Sequence, residues 1–410
     1  MVEQRLADLD FAPLLHRTFH PSPAAWEDQV FYFLLLDRFS DGREDGYLGN
    51  DGAPVAGTTP RFQPGEAGNA IRTEADAAHW REAGRGWVGG TLNGLASKMG
   101  YLARLGVTAV WVSPVFKQVA SVDSYHGYGV QNFLDVDPHF GTREELRRMV
   151  EIAHGHGIYV VLDVILNHSG NVFGYEPDRY WTPDGRGGQF LDPRWDGRPY
   201  RVAGFRDAGG APSLPFGPVD PSTSSGQALA ARPDAWPDGA IWPAELQRPE
   251  FFSQRGRIDN WDHDPEFREG DFADLKDVLL GRGDLDDYVP SDALVALCRR
   301  YKFWIAFADL DGFRVDTVKH MDPGAVRYFA SVMHEFAQRI GKENFYLIGE
   351  ITGGRQRAYR TLEVTGLDAA LGIDDIPDKL EGLVKGFRAP SEYFDLFRNS
   401  QLVRKESHVW

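Results

Sequence analysis

Cysteine is nearly absent from this 410-residue chain: Cys298 stands alone, so no internal disulfide can form and no bridge pattern reports a compartment. Cys298 lies on a helical pattern with Leu294, Leu297 and Tyr301 and reads as a buried small side chain. No apolar run reaches the roughly 20 residues that a bilayer-crossing helix needs. The start, MVEQRLADLDFAPLLHRTFH, lacks a basic stretch followed by an uninterrupted apolar one, so it does not read as a signal peptide and a cytoplasmic protein is expected. Positive charge is in the minority, with 44 Lys and Arg against 60 Asp and Glu and a formal net charge of −16. That balance argues against a nucleic-acid surface and favours uncharged or cationic partners. There is no GxGxxG after the first apolar run, no glycine-rich phosphate loop and no histidine cluster with zinc spacing. What is present, 42% hydrophobic and 25% charged residues, suffices for a sizeable core. The length fits two or three domains, or one large α/β barrel with an insertion.

Four times the chain runs through an amphipathic helix, a glycine or short turn, and an apolar strand. Leu92, Leu95, Met99, Leu102 and Leu105 recur at helical spacing before Gly106 and the strand 107–112. Leu146, Met149, Val150 and Ala153 precede Gly155, Gly157 and the run IYVVLDVIL. Leu294, Leu297, Tyr301, Trp304 and Ile305 lead to LDGFRVD, and Val326, Phe329, Val332, Phe336 and Ile340 lead through Gly341 to NFYLIGE. With VFYFLLL (30–36) in front and a weaker strand near Leu367–Leu371 behind, six strands are predicted. Strands apolar throughout, separated by amphipathic helices, imply a parallel sheet buried on both faces. They end in Asp37-Arg38, Asp163 to His168, Arg314 to Asp316, and Glu350, as a barrel places functional groups around its top face. The expected fold is α/β, a (β/α)8 TIM barrel.

Between Ser169 and about Pro290 this rhythm gives way to Gly, Pro and aromatics (Tyr175, Tyr180, Trp181, Trp195, Trp236, Trp242, Trp261), with a loop at Ser222–Ser225. The stretch is too long for a simple connection and reads as an irregular domain inserted after the third strand. The expected division is 1–168 for the first part of the barrel, 169–290 for the insertion and 291–410 for the second part of the barrel.

Two acids at strand ends stand out. Asp316 closes DGFRVD and Glu350 closes the next strand, YLIGE, so adjacent strands carry both to one rim. Cleaving a glycosidic bond with retention needs two carboxyls about 5 Å apart, one attacking the anomeric carbon and one protonating the leaving oxygen. Arg314, two residues before Asp316, points to the same side of its strand and would keep that carboxylate ionised. Glu350 has no basic neighbour in sequence, a setting that raises an acid's pKa. Asp163 reads as structural. Acidic strand ends are common, so spacing alone leaves the chemistry open.

The segments DVILNH (163–168), GFRVDTVKH (312–320) and LIGE (347–350) resemble, in order and rough separation, three signature motifs of the α-amylase family, glycoside hydrolase family 13. YHGY (125–128) and FADLKD (272–277) look like two further family segments. The resemblance implies Asp316 as nucleophile and Glu350 as acid/base, with Arg314 holding Asp316. It further implies that His168 bonds the sugar in the cleaved subsite, that Tyr128 stacks on it beside His126, and that Lys319 and His320 border the leaving-group side. A structural calcium ion joining insertion to barrel is implied at Asn167, Asp274 and the carbonyl of His320, an all-oxygen set suited to calcium and not zinc. The family's fourth barrel motif, an HD-type pair on the seventh strand, is not found. After Ile373 the chain offers DKLEGLVKG and PSEYFDLFRN as helical stretches and then Trp410. The expectation is a barrel incomplete at its C-terminal end, without strands seven and eight or a C-terminal β-domain.

The resemblance implies a hydrolase cleaving α-1,4-glucosidic bonds of starch, glycogen or maltodextrins by retaining double displacement. A related cyclodextrin-acting hydrolase or transglycosylase would use the same residues on a different acceptor. The alternative from another class is a truncated, inactive glucan-binding remnant. The expected partner is an α-glucan, with neither nucleic acid nor membrane involved.

Overall fold

The structure, a computed structural model, describes residues 3–58, 73–176, 182–183, 189–190, 192–219, 238–371, 375–395 and 408–409. Tyr180, Trp181, Trp236, Ile373, Trp410 and the expected loop Ser222–Ser225 lie outside the described residues.

Seven parallel strands form the main sheet in chain order: β1 (Phe31–Leu34), β2 (Ala109–Val112), β3 (Tyr159–Val164), β4 (Gly312–Val315), β5 (Tyr346–Glu350), β6 (Ala369–Leu371) and β7 (His408–Val409). A helix precedes each of β2 to β6: α1 (Met99–Leu105), α2 (Arg143–Gly155), α3 (Asp292–Ala308), α4 (Pro323–Arg339) and α5 (Arg355–Thr365). This is a (β/α)8-type barrel, incomplete among the described residues. The sheet carries one strand more than the six expected, because His408–Val409 pairs in parallel with Ala369–Ala370. Two residues are too few to show periodicity, so no sequence pattern announces β7. The fifth helix was likewise not expected: only Ala358, Leu362 and Thr365 are buried, too sparse an apolar face to stand out.

Local chemistry sets these elements. Thr142 opens α2 with a reciprocal capping box to Glu145, Leu146, Met149, Val150 and Ala153 bury one face, and Gly157 at φ +71° turns the chain into β3. Along the strands, alternate residues face opposite ways. Val110, Val112, Val160, Leu162, Phe313, Val315 and Leu347 pack outward into the large core under the helices. Ala109, Val161, Tyr346, Ile348 and Ala369 face the lumen together with Trp26. Asp163, Arg314 and Glu350 continue that inward set toward the strand ends. In β4, Gly312 leaves room for its neighbour, because a Cβ there would lie 2.5 Å from the Tyr346 carbonyl.

The N-terminal segment straps the lower end of the barrel. The Trp26 ring stacks on Tyr346 at 4.7 Å, and its Nε1 donates to the Asn344 carbonyl at 2.7 Å. Arg17 Nη2 donates to the Ala306 carbonyl, and the His20 amide donates to Asp309. Phe33, on β1, is 47% exposed and its ring meets Trp111 at 4.1 Å, so this flank of the lumen is open among the described residues.

The insertion is built from small antiparallel pairs. Phe173–Tyr175 pairs with Val202–Phe205, and Lys276–Asp277 pairs with His168–Ser169 at the end of β3. Lys276 is fully buried between Asp192 and Asp271.

Candidate active site

One guanidinium gathers three acids at the strand ends. Register places Arg314 opposite Asp163, and its Nη1 reaches both oxygens of Asp163 (3.0 and 3.1 Å) and Asp316 Oδ1 (2.6 Å). Its Nη2 lies 2.9 Å from Glu350 Oε2. Glu350 also accepts the Thr317 amide at 3.0 Å and stands within hydrogen-bonding reach of Asp316. Thr317 holds that amide in place from a left-handed conformation (φ +48°), a strained setting for a β-branched residue. The expectation that Glu350 has no basic neighbour is corrected here: its partner comes from the adjacent strand and is invisible along the sequence.

Burial and this crowding set the protonation states. Burial works against charge on Arg314, but Asp163, Asp316 and Glu350 outweigh it and hold the guanidinium well above its ordinary range. Burial pushes Asp316 up, with Arg314 opposing. Asp163, wholly buried, is pushed up to about 7 by burial, with Arg314 opposing and Asp316 adding to the rise. It also accepts from Tyr128 Oη at 3.0 Å and Trp111 Nε1 at 3.1 Å. Sequence reading kept Asp163 outside the site. The missed signal was its inward register two residues beyond Val161 on the strand beside Arg314.

Around these acids lies a cleft of about 750 Å³. It brings Asp316, Glu350, Arg314, His168, Tyr128 and His126 together. His168 is buried with neither ring nitrogen partnered, its Nε2 3.9 Å from Asp316 Oδ2, and burial followed by His320 pushes it down to about 3, so it is neutral. The rings of His126 and Tyr128 stack at 5.6 Å, and the Tyr128 amide donates to His126 Nδ1. Gly127 between them sits at φ +91°, where a Cβ would lie 2.1 Å from the Pro114 carbonyl. Phe272, not singled out from sequence, lines the cleft beside His168.

Lys319 and His320 stand at the seam with the insertion instead of on the cleft wall. Lys319 Nζ pairs with Asp262 at 2.8 Å, and His320 Nδ1 bonds the Phe267 carbonyl, its ring edge-on to Trp261, Phe267 and Phe272.

Among the described residues no group of three or more His, Cys, Asp or Glu is placed to hold a metal ion. The oxygen set expected for calcium contains one carboxylate, and two acids compete for that place. Asp274 lines the cleft and accepts from Asn171 at 3.3 Å. Asp277 is paired in register with His168, next to Asn167, whose carbonyl accepts from the Val278 amide. Its Oδ2 is buried without a partner, and burial together with Asp271, Glu269 and Asp322 pushes its carboxyl well above the usual range. A buried, orphaned carboxylate oxygen suits a hard cation, so the donor chemistry fits calcium better at Asp277 than at Asp274.

Fold and site together define a barrel protein whose strand ends hold three carboxyls around one arginine, two of them, Asp316 and Glu350, lining a cleft. Residues 33–206 match the family described as alpha amylase, catalytic domain. It is 31% identical over 272 residues to an α-amylase of Streptomyces lividans, covering 65% of this chain and 28% of that protein. It is 23% identical over 349 residues to a cyclomaltodextrin glucanotransferase of Klebsiella oxytoca, covering 83% and 40%. The chain thus spans well under half the length of these relatives. Among solved structures, a cyclomaltodextrin glucanotransferase with a three-domain ABC distribution matches with TM-score 0.55 at 23% identity, over 91% of this chain and 61% of that one. An Anoxybacillus α-amylase matches with TM-score 0.52 at 22% identity, over 87% and 54%. At these identities the structural likeness concerns the fold. Among the described residues no helix is long and apolar enough to cross a membrane.

Proposed function

We propose that this chain carries the catalytic machinery of a retaining α-glucan hydrolase, with Asp316 as nucleophile and Glu350 as acid/base. The observation that carries the reading is the sharing of Arg314: Asp316 on Nη1 and Glu350 on Nη2. Two carboxyls held by one guanidinium favour the closer of the two spacings that glycosidases use, in which the second carboxylate attacks the sugar directly and no water stands between them. Asp316 Oδ1 is engaged by Arg314, so Oδ2 is the oxygen that attacks the anomeric carbon. As that bond forms, the bond to the leaving glucosyl oxygen breaks and Glu350 gives its proton to that oxygen. Glu350 Oε2 is occupied by Arg314 and Thr317, which leaves Oε1 to carry the proton. Glu350 then takes a proton from water, whose oxygen displaces Asp316 and completes retention. Neutral His168, with both nitrogens free of protein partners, bonds the sugar in the cleaved subsite, and Tyr128 stacks on it beside His126. Lys319 and His320 act from behind the leaving-group side, through the seam.

The substrate proposed is an α-1,4-glucan such as starch, glycogen or a maltodextrin. Relatives named as cyclomaltodextrin glucanotransferase and cyclomaltodextrinase favour a second reading, a cyclodextrin-acting hydrolase or a transglycosylase in which a sugar replaces water as acceptor. A calcium ion, held by Asn167, the His320 carbonyl and Asp277 or Asp274, would tie the insertion to the barrel.

A fluorinated glucosyl donor tests the assignment. Label should be trapped on Asp316, and Asp316→Asn should lower turnover by at least about 10³-fold while maltodextrin binding persists. Label on any other residue rejects the role of Asp316. Cyclic or transferred products in place of reducing ends favour the second reading.

A further inference from the structure

Outside the cleft, the strap and the outer faces of α3 and α4 enclose a hollow of about 550 Å³. Its floor is aromatic: Phe19 is buried, and the half-buried Phe336 meets Phe11 edge-on at 6.5 Å. Its rim is cationic, with Arg17, Arg299, Lys302 and Arg339 among the lining residues and no acid. Arg17 lies over the Phe19 ring at 4.7 Å, and Lys302 Nζ is 6.0 Å from the Phe336 ring. Among the described residues none of the four is paired with a carboxylate, in a chain whose net charge is −16. A neighbouring hollow that shares Arg17 and Phe19 differs, because Glu151 and Asp309 line it. No lining residue is common to the basic hollow and the cleft.

Four cations left without counter-charge around an aromatic floor call for a ligand that supplies both anion and ring. Guanidinium groups take phosphate oxygens in forked pairs, and a flat ring gains by packing on phenylalanine. The volume suits a small molecule, and the absence of acceptor side chains on the rim disfavours a neutral sugar. We propose that this hollow is a second binding site, separate from the cleft, for a small organic polyanion: a flat aromatic ring bearing phosphate groups, of the nucleotide class.

Calorimetry on the 410-residue chain tests this, with ADP without metal as probe, inorganic pyrophosphate as the charge alone and adenosine as the ring alone. ADP should bind one to one, about tenfold or more tighter than either fragment. The double variant Arg299→Gln, Arg339→Gln removes two exposed charges, so it should melt like the parent while ADP binding weakens about tenfold or more. Phe336→Leu should weaken ADP but not pyrophosphate. No binding of ADP, or binding untouched by the double variant, overturns the site. Pyrophosphate binding as tightly as ADP overturns the ring-and-phosphate class. Binding of an acidic peptide in place of ADP overturns the small-molecule reading.

Discussion

At the scale of single residues, the site is governed by how many charges one guanidinium can balance. Asp163 holds its proton to about 7 where a free aspartate gives it up near 3.8. Between those values the unfolded chain has lost this proton and the folded chain has kept it. Stability contributed by this residue therefore falls as pH rises from about 4 to about 7, with a slope of up to about 1.4 kcal/mol per pH unit. Asp163→Asn should remove that slope, so denaturant midpoints of variant and parent at pH 4.5, 5.5 and 6.5 should converge or cross. Parallel midpoints would show that Asp163 is ionised throughout. The pairing of Arg314 with Asp316 was legible in the sequence because a strand's two-residue period sets the arginine beside its own aspartate. The ties of Arg314 to Asp163 and Glu350 run between strands, and no spacing along the chain reports them.

Elements hold these side chains in register, and Gly312 shows how narrow the tolerance is. A Cβ at this position would press against the Tyr346 carbonyl, which belongs to the fixed backbone of β5. Gly312→Ala should separate β4 from β5 and move Arg314 away from Glu350. Activity should fall further than stability, which an overpacked site loses by about 1–3 kcal/mol. Unchanged kcat in a stable Gly312→Ala chain would mean that the strands slide without disturbing the acids. The two-residue pairing of Lys276–Asp277 with His168–Ser169 is the corresponding joint of the insertion. If calcium offsets Asp277 there, chelation should lower the melting temperature, and calcium but not equimolar magnesium should restore it. Asp277→Asn should abolish this response and Asp274→Asn should leave it, whereas the reverse result would return the ligand role to Asp274. Helices with broad apolar faces were readable from periodicity. The choice between Asp274 and Asp277 was not, since burial of one acid among others is decided by how the insertion folds back.

Across the whole molecule, the open flank at β1 is the feature that sequence patterning could anticipate only in outline. Six strand-like runs predicted an unfinished barrel, and the structure adds β7 without closing the sheet among the described residues. Phe33 and Trp111 mark the exposed lumen there. The 410-residue chain prepared alone should bind an apolar dye in its native state and self-associate, as uncovered apolar faces do. Phe33→Ser should weaken both effects, and a dye-silent monomer would show that the flank is covered. Strapping the barrel floor with the N-terminal segment has a consequence in time. Trp26 bonds Asn344, 318 residues further on. A ribosome adding roughly 5–20 residues per second needs between a quarter of a minute and a minute to make that partner. An aromatic wedge made early in synthesis is therefore seated late, and through that interval its indole is open to whatever chaperone waits outside.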